Sequence, residues 1–428
     1  ENILELKEVW LIDYARTAFS RCRPRTPERD VFGDTRGDEL LAQLLMKFFD
    51  EKLADKGIEK KDIEEASVGV AAGVNEGWTY GGRLPIFLAG FPVSVPAFFI
   101  DRQCGSAGSG MHVGIMEIMT GNAKCVLSNG FEHMGRGRGT GTAPNMKMAD
   151  KNSKYYRPDL DLQTTFNMLQ TAQKLYEEEV PTFTKEDLDE FGVRSHNLTV
   201  KSHEEGWFKG EIIPVEGHAE GNVEERIMID RDMNARLSSM EGHAKLPRLS
   251  RPFYLEKNGG KEGYEKREGT EQGVITVGNS SPLNAGATTA VLMEAEEAKR
   301  RGLEPMARVV SIGWAGVDPT VMGRGPVPAT KRALDVAGLK AEDIDYWEIN
   351  EAFCIVTLNC MDKYNLPVEK VNIMGGSTAI GHPLGSTMIR LTGTLARVLK
   401  DKKAKYGIAN ACVGGGQGVA TILENIDA

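Results

Sequence analysis

Hydrophobic and polar positions change their period several times along the chain, and those changes divide it. VWLID at residues 9–13 is an apolar run entering a polar turn and predicts a strand. Residues 38–55 carry apolar side chains at helical spacing behind Asp38 and Glu39, which predicts a helix. SVGVAAG at 67–73 and PAFFI at 96–100 predict two more strands, the second ending in a turn of small residues. A helix then runs to Gly121-Asn122, and KCVLSNGFE at 124–132 predicts a buried strand. Strand and helix alternate, as in a layered α/β fold.

The stretch from about 134 to 270 differs: it is rich in Gly, Arg, Lys, Asn and Glu, with two helical patterns between long loops. It reads as a helical excursion inserted into the α/β framework. Loops of that length inside a compact protein are usually functional or mobile. From 273 the layered pattern returns. GVITVGNSSPLNAGATTAVLM predicts a strand, a small-residue loop and a buried helix. ARVVSIGWAG and IDYWEINEAF predict strands, the second feeding a helix; VNIMGGSTAIGHPLG predicts a strand and glycine turn before a further helix. The chain closes with a strand, a glycine hairpin and a strand over YGIANACVGGGQGVATILEN. A faint repeat is visible: Cys104 and His382 each begin a small-residue turn, a helix and a lysine-containing strand.

The length of 428 residues predicts two or three structural units. The net charge of -9 argues against nucleic acid as the main partner, while leaving room for a locally basic pocket. Six scattered cysteines form no CxxC pair, so no metal is expected and a reducing compartment is favoured. No apolar run approaches the ~20 residues needed to cross a bilayer. The first residues lack the basic-then-apolar order of a signal peptide, and a cytoplasmic enzyme is the expectation.

Four places could carry chemistry. Cys104 follows a strand and opens a helix through Gly and Ser, where N–H groups and the helix dipole favour a thiolate; a buried packing cysteine is the alternative. His382 sits among glycines and a proline, as a base or substrate donor, or as a residue that fastens a turn. Cys412 precedes three glycines whose N–H groups can form an anion nest; it is otherwise a strand-end cysteine. Asn350 opens NEAF and is either a helix cap or a holder of water or carbonyl oxygen.

Together these motifs resemble one family. CGSAGSG at Cys104, GNSSPLNAGA at 278–287, VMGRGPVPATKRAL at 321–334, NEAF at 350–353, GGSTAIGHPLG at 375–385 and CVGGGQG at 412–418 follow the order and rough spacing of thiolases, over nearly the whole chain. The resemblance implies a thiolase fold, with two similar five-layered α/β/α/β/α halves and an inserted helical loop domain. Residues 1–133, continued at 281–305, would form the first half. Residues 134–280 would form the loop domain that binds coenzyme A, and 306–428 the second half.

The resemblance also implies roles. Cys104 takes the acyl group as a thioester, and His382 activates it. Cys412 moves a proton at C2, and Asn350 holds a water that helps His382 polarise the thioester oxygen. Backbone N–H groups of Cys104 and Gly414 form a second oxyanion hole. Ser281 matches a serine of the pantetheine channel, and Arg236 a basic residue near the adenine. The implied activity is cleavage of a 3-oxoacyl-CoA by coenzyme A, which serves as substrate, in a homodimer or dimer of dimers; some relatives use a small accessory protein. The biosynthetic condensation by an acetyl-CoA acetyltransferase is the alternative. Ketosynthase-type relatives lack the cysteine matching Cys412. A silent acyl-CoA or sterol carrier would have lost one of Cys104, His382 and Cys412.

Three departures from the family pattern bear on the substrate. Asp161-Leu162-Gln163 replaces His-Met-Gly, Cys354 follows NEAF, and the bulky Met388 and Ile389 follow the GHPLG loop. They suggest a substrate other than acetoacetyl-CoA, such as an aromatic or branched 3-oxoacyl-CoA.

Overall fold

Along the first strand, neighbouring side chains are claimed by different cores. Val9 and Leu11 belong to one buried cluster, Trp10 and Ile12 to another. A strand sends successive side chains to opposite faces, so both faces of this one are covered. The structure, a computed structural model, describes residues 5–136, 150–254 and 268–428.

Eleven strands are present among these residues: β1 (Val9–Arg16), β2 (Glu65–Gly69), β3 (Ala97–Ile100), β4 (Cys125–His133), β5 (Val215–Ala219), β6 (Asn222–Ile229), β7 (Ala285–Glu294), β8 (Ala307–Gly316), β9 (Tyr346–Ile349), β10 (Tyr406–Val413) and β11 (Gln417–Glu424). Nine join in the order β3-β2-β4-β7-β1-β8-β11-β10-β9. The seam between β1 and β8 is narrow, with only Trp10 opposite Arg308 and Leu11 opposite Ala307.

The two sides of that seam repeat one pattern. β1 pairs antiparallel with β7, β7 antiparallel with β4, and β4 parallel with β2. β8 pairs antiparallel with β11, β11 antiparallel with β10, and β10 parallel with β9. The helix Ser106–Met119 of the first half packs on the helix Thr387–Lys402 of the second. Their apolar faces share a cluster with both half-sheets, including Met111, Ile115, Leu391, Leu395, Leu292 and Val419. The outer faces are covered separately, by the helix Gly37–Lys47 on one side and by the helices Pro326–Ala337 and Cys354–Tyr364 on the other. Helices, half-sheet, central helices, half-sheet and helices make five layers, the fold class expected from the motifs.

Three local expectations need correction. The apolar run AGATTAVLME is β7, not a buried helix, and GVITV before it forms no strand. A continuous apolar run fits either element, and the central place between β4 and β1 decides for the strand. VNIM forms only an isolated bridge from Val371 to Trp347. The helix expected over 38–55 ends as an α-helix at Lys47, and a wider π-turn carries Phe48 and Phe49 into the core.

The helices Met168–Glu179 and Lys185–Glu204 match the two helical patterns of the middle stretch, and β5–β6 adds a hairpin. Residues 137–149 and 255–267 of the expected loop domain lie outside the described residues.

Candidate active site

Glycines bring the motif loops together. Cys104 lies in a single turn, Gln103–Gly105, at the mouth of the helix Ser106–Met119. Gln103 holds φ +44, and its N–H bonds Asp101 at 2.7 Å, which fixes this left-handed corner. A Cβ on Gly105 would meet Val413 at 2.9 Å, so only glycine lets the helix mouth abut the β10–β11 hairpin. On the other side, a Cβ on Gly130 would lie 2.2 Å from the Gly385 carbonyl. That carbonyl accepts from the Ala107 N–H at 3.1 Å, tying the Cys104 helix to the His382 loop.

The His382 loop is pinned by Asn284, whose Oδ1 accepts the His382 N–H at 2.7 Å. Gly381, at φ +120, packs against the same asparagine. The imidazole is buried. Its Nδ1 lies 2.5 Å from the Thr387 hydroxyl, which gives its proton to the Pro383 carbonyl at 2.9 Å. A hydroxyl has one proton, so Thr387 must accept from Nδ1–H. Nε2 therefore carries the lone pair. Burial first, and the Arg390 charge second, push the imidazole down to about 3, so it is neutral near pH 7.

Asn350 is oriented by a similar count. Its side-chain nitrogen lies 3.4 Å from His382 Nε2. Its Oδ1 lies 2.6 Å from Ser377 Oγ, and Ser377 Oγ lies 2.8 Å from Arg390 Nη2. Arginine only donates, so the serine accepts from it and donates its one proton to Asn350. The amide nitrogen is thereby aimed at His382. Arg390 is fully buried and paired with Glu348 at 3.1 Å. The donors run in one direction from Arg390 through Ser377 and Asn350 to His382, then through Thr387 to Pro383.

Cys412 is the penultimate residue of β10, opposite Gly418. Burial, and then the neighbouring Cys104, push its thiol well above the usual range. The turn that carries Cys104 packs against β10, which carries Cys412, and burial keeps the Cys412 thiol protonated. Gly414 lies over the Gln103 side chain, and Gly415 and Gly416 take positive φ to close the hairpin.

Ser281 donates to the Ala352 carbonyl of NEAF at 3.1 Å. Arg236 is half-buried, and Asn234 nearby donates to the Thr378 carbonyl, beside the His382 loop. The structure brings Cys104 to Cys412, His382 to Asn350, and the Gln103 turn to Gly414. Ser281 sits against NEAF, and Arg236 stands further off.

Met388 and Ile389 do not face this site. Both are fully buried in the central cluster, and Met388 fills the space above Gly108 of the facing helix. The side chains the motifs left unassigned are Asn284, Ser377, Thr387 and Glu132. Glu132 accepts from the Ala71 and Gly385 N–H groups, each at 2.9 Å, and so clamps the His382 loop to the end of β2. All but Glu132 lie in or beside the quoted motifs, yet only a count of protons in the folded chain gives them roles. A surface cleft lined by Trp207, Arg397 and Asp401 contains none of these groups.

Comparison with known proteins agrees with this geometry. The family description "Thiolase, N-terminal domain" matches residues 10–253, and "Thiolase, C-terminal domain" matches 303–425. The chain is 35% identical to a 3-ketoacyl-CoA thiolase of Marinobacter nauticus over 429 residues, covering 99% of this chain and 100% of the relative. A 3-ketoacyl-CoA thiolase of a Marinomonas species has the same identity and coverage. Among solved structures, the acetyl-CoA acetyltransferase of Bacillus anthracis superposes with a TM-score of 0.78 at 28% identity, over 99% of this chain and 100% of that one. Human mitochondrial 3-ketoacyl-CoA thiolase superposes with a TM-score of 0.78 at 26% identity, over 98% and 99%.

Proposed function

The chain belongs to the thiolase family of acyltransferases, and from that premise we propose that it cleaves 3-oxoacyl-CoA with coenzyme A through an acyl-enzyme on Cys104. Cys104 sulfur attacks C3 after passing its proton to His382 Nε2. The C2–C3 bond breaks, and the electron pair left at C2 takes the proton of Cys412, releasing acetyl-CoA. Coenzyme A sulfur then attacks the thioester on Cys104 and releases the shortened acyl-CoA. Splitting the exchange in this way replaces one difficult step by two easier ones.

The observation that carries this reading is the pairing of unlike proton states. His382 presents an unprotonated Nε2, and Cys412 is held as a thiol beside Cys104. One can take a proton as the other gives one. Asn350 and backbone N–H groups at Cys104 and Gly414 are proposed to stabilise the oxyanions, which carry the charge that develops. Coenzyme A is proposed to lie along Ser281 toward Arg236, against the 134–280 region. No part of the proposal rests on Met388 or Ile389, which are packed between helices. The substrate class is therefore 3-oxoacyl-CoA, without a claim for an aromatic or branched chain. The direction proposed is degradative.

The reading extends to a homodimer. β3 is one of the two edge strands, all four of its residues are half-buried, and Trp78, Tyr80, Phe87 and Val93 are exposed on the segments around it. An open edge with apolar surroundings is a place for another chain to pair. A reducing, cytoplasmic setting fits six buried thiols, none in a disulfide. Among the described residues, no helix is long and apolar enough to cross a membrane.

The test is mass spectrometry of the protein after addition of 3-oxoacyl-CoA without coenzyme A. An acyl mass on the peptide containing Cys104 is expected. Turnover without any adduct there, or undiminished turnover in Cys104→Ala, would overturn the mechanism.

A further inference from the structure

Away from the candidate active site, three side chains with metal-binding atoms converge where the loop after β1 meets the end of β4. Cys22 and Asp30 lie on that loop, and His133 is the last residue of β4. One ligand atom of each lies within 4.8 Å of the others, and all three residues are buried. We propose that Cys22 Sγ, an Asp30 carboxylate oxygen and His133 Nδ1 form a zinc site that fastens this loop to the sheet.

The proton count at the cluster points to a cation. His133 Nε2 lies 2.9 Å from the Phe32 carbonyl, which can only accept, so Nε2 carries the proton and Nδ1 the lone pair. Nδ1 faces Cys22 Sγ at 3.9 Å, long for a hydrogen bond. Asp30 already accepts the Phe32 N–H at 3.1 Å, and a carboxylate has no proton to give. Two acceptors, His133 Nδ1 and the Asp30 carboxylate, thus face one thiol proton on Cys22, which cannot serve both. A dication serves all three when it displaces that proton.

The spacing also fits. Zinc bonds of about 2.3 Å to sulfur and about 2.0 Å to nitrogen, at a tetrahedral angle, separate the two atoms by roughly 3.5 Å. The observed 3.9 Å needs only a small contraction. A thiolate, an imidazole and a carboxylate together suit zinc, whereas magnesium and calcium take oxygen donors. The outer shell is in place as well. Phe32 orients two ligands with its backbone, its N–H on Asp30 and its carbonyl on His133. Gly135 lets the chain pass close by, since a Cβ there would lie 3.2 Å from Cys22 Sγ. The fourth position falls to water.

This departs from the expectation of no metal. Close-spaced cysteines mark a metal site in sequence, whereas these ligands stand at 22, 30 and 133 and meet only in the fold.

The test uses the full-length protein purified without a metal-affinity tag, with its metal content measured by mass spectrometry. About one zinc per chain is expected in the wild type, and about a tenth of that or less in Cys22→Ser and in His133→Gln, each of which removes one ligand. Cobalt added to chelator-stripped wild type should give a thiolate charge-transfer band that Cys22→Ser lacks. Because the first measurement is made on the wild type, it stands even if a variant fails to fold. A stripped wild-type protein that takes up neither zinc nor cobalt overturns the site, as does equal zinc in wild type and Cys22→Ser. Stoichiometric binding of a different metal at these residues overturns the zinc assignment.

Discussion

Replacing Ser377 by alanine tests the one-way donor chain at its centre. Ser377 is fully buried, and its Oγ makes two bonds, to Asn350 at 2.6 Å and from Arg390 at 2.8 Å. Alanine leaves Arg390 Nη2 without that acceptor, and Arg390 Nε already has none, so the guanidinium keeps only Glu348. Arg390 Nη2 and Asn350 Oδ1 each lose a partner at about 1–3 kcal/mol, which puts the stability loss at roughly 2–6 kcal/mol. The functional loss arises differently. Without Ser377, nothing in the chain of donors sets which end of the Asn350 amide faces His382. Losing one oriented hydrogen bond of about 1–2 kcal/mol lowers kcat/KM by roughly 5- to 30-fold. Steady-state thiolysis of whichever 3-oxoacyl-CoA turns over best gives the number, beside thermal unfolding of the same variant. The decisive comparison is a double-mutant cycle with Asn350→Ala. If Ser377 acts through Asn350, its removal has little further effect on kcat/KM once Asn350 is gone. Full activity in Ser377→Ala, or losses that simply add, would refute the reasoning.

Cys412→Ala is expected to keep acyl transfer from a simple acyl-CoA to Cys104 while losing both formation and cleavage of the C2–C3 bond; loss of the acyl adduct as well, seen by mass, would contradict separate roles. Gly108→Ala places a Cβ 2.6 Å from the buried Met388 side chain, and such overpacking costs about 1–3 kcal/mol in chemical denaturation. An unchanged midpoint would show that the two central helices can part without cost. His382 has a folded value of about 3, below its unfolded 6.5, so the stability it contributes is full above pH 6.5 and is lost as pH falls from 6.5 towards 3. Wild-type unfolding midpoints should therefore fall more steeply over that window than those of His382→Asn, and equal slopes would remove the buried neutral imidazole from the account. Phe98→Asp on the edge strand should shift the protein toward monomer in sedimentation, and an undisturbed dimer would place the interface elsewhere.

Much of the candidate site was legible because Cys104, His382 and Cys412 each stand in their own glycine turn. The turns around Cys104, His382 and Cys412 need small residues for close backbone approach, and that need is written locally as CGSAGSG, GGSTAIGHPLG and CVGGGQG. The alternation of strands and helices is local in the same sense, since it depends on the period of apolar positions. β7 escaped because an apolar run buried on both faces has no period to read.

Sequence alone therefore determined the family, the layered fold and the residues that meet in the site. The tertiary structure decided what those residues can do with a proton. The lone pair of His382 depends on Thr387 and Pro383, and the facing of Asn350 on Ser377 and Arg390. It also turned Met388 into a helix contact and brought Cys22, Asp30 and His133 to one point. The physical reason is common to all of these. Glycine turns and apolar periods are satisfied within a few residues, whereas a hydrogen bond, a packed side chain or a metal ligand set takes its partner from wherever the fold places one.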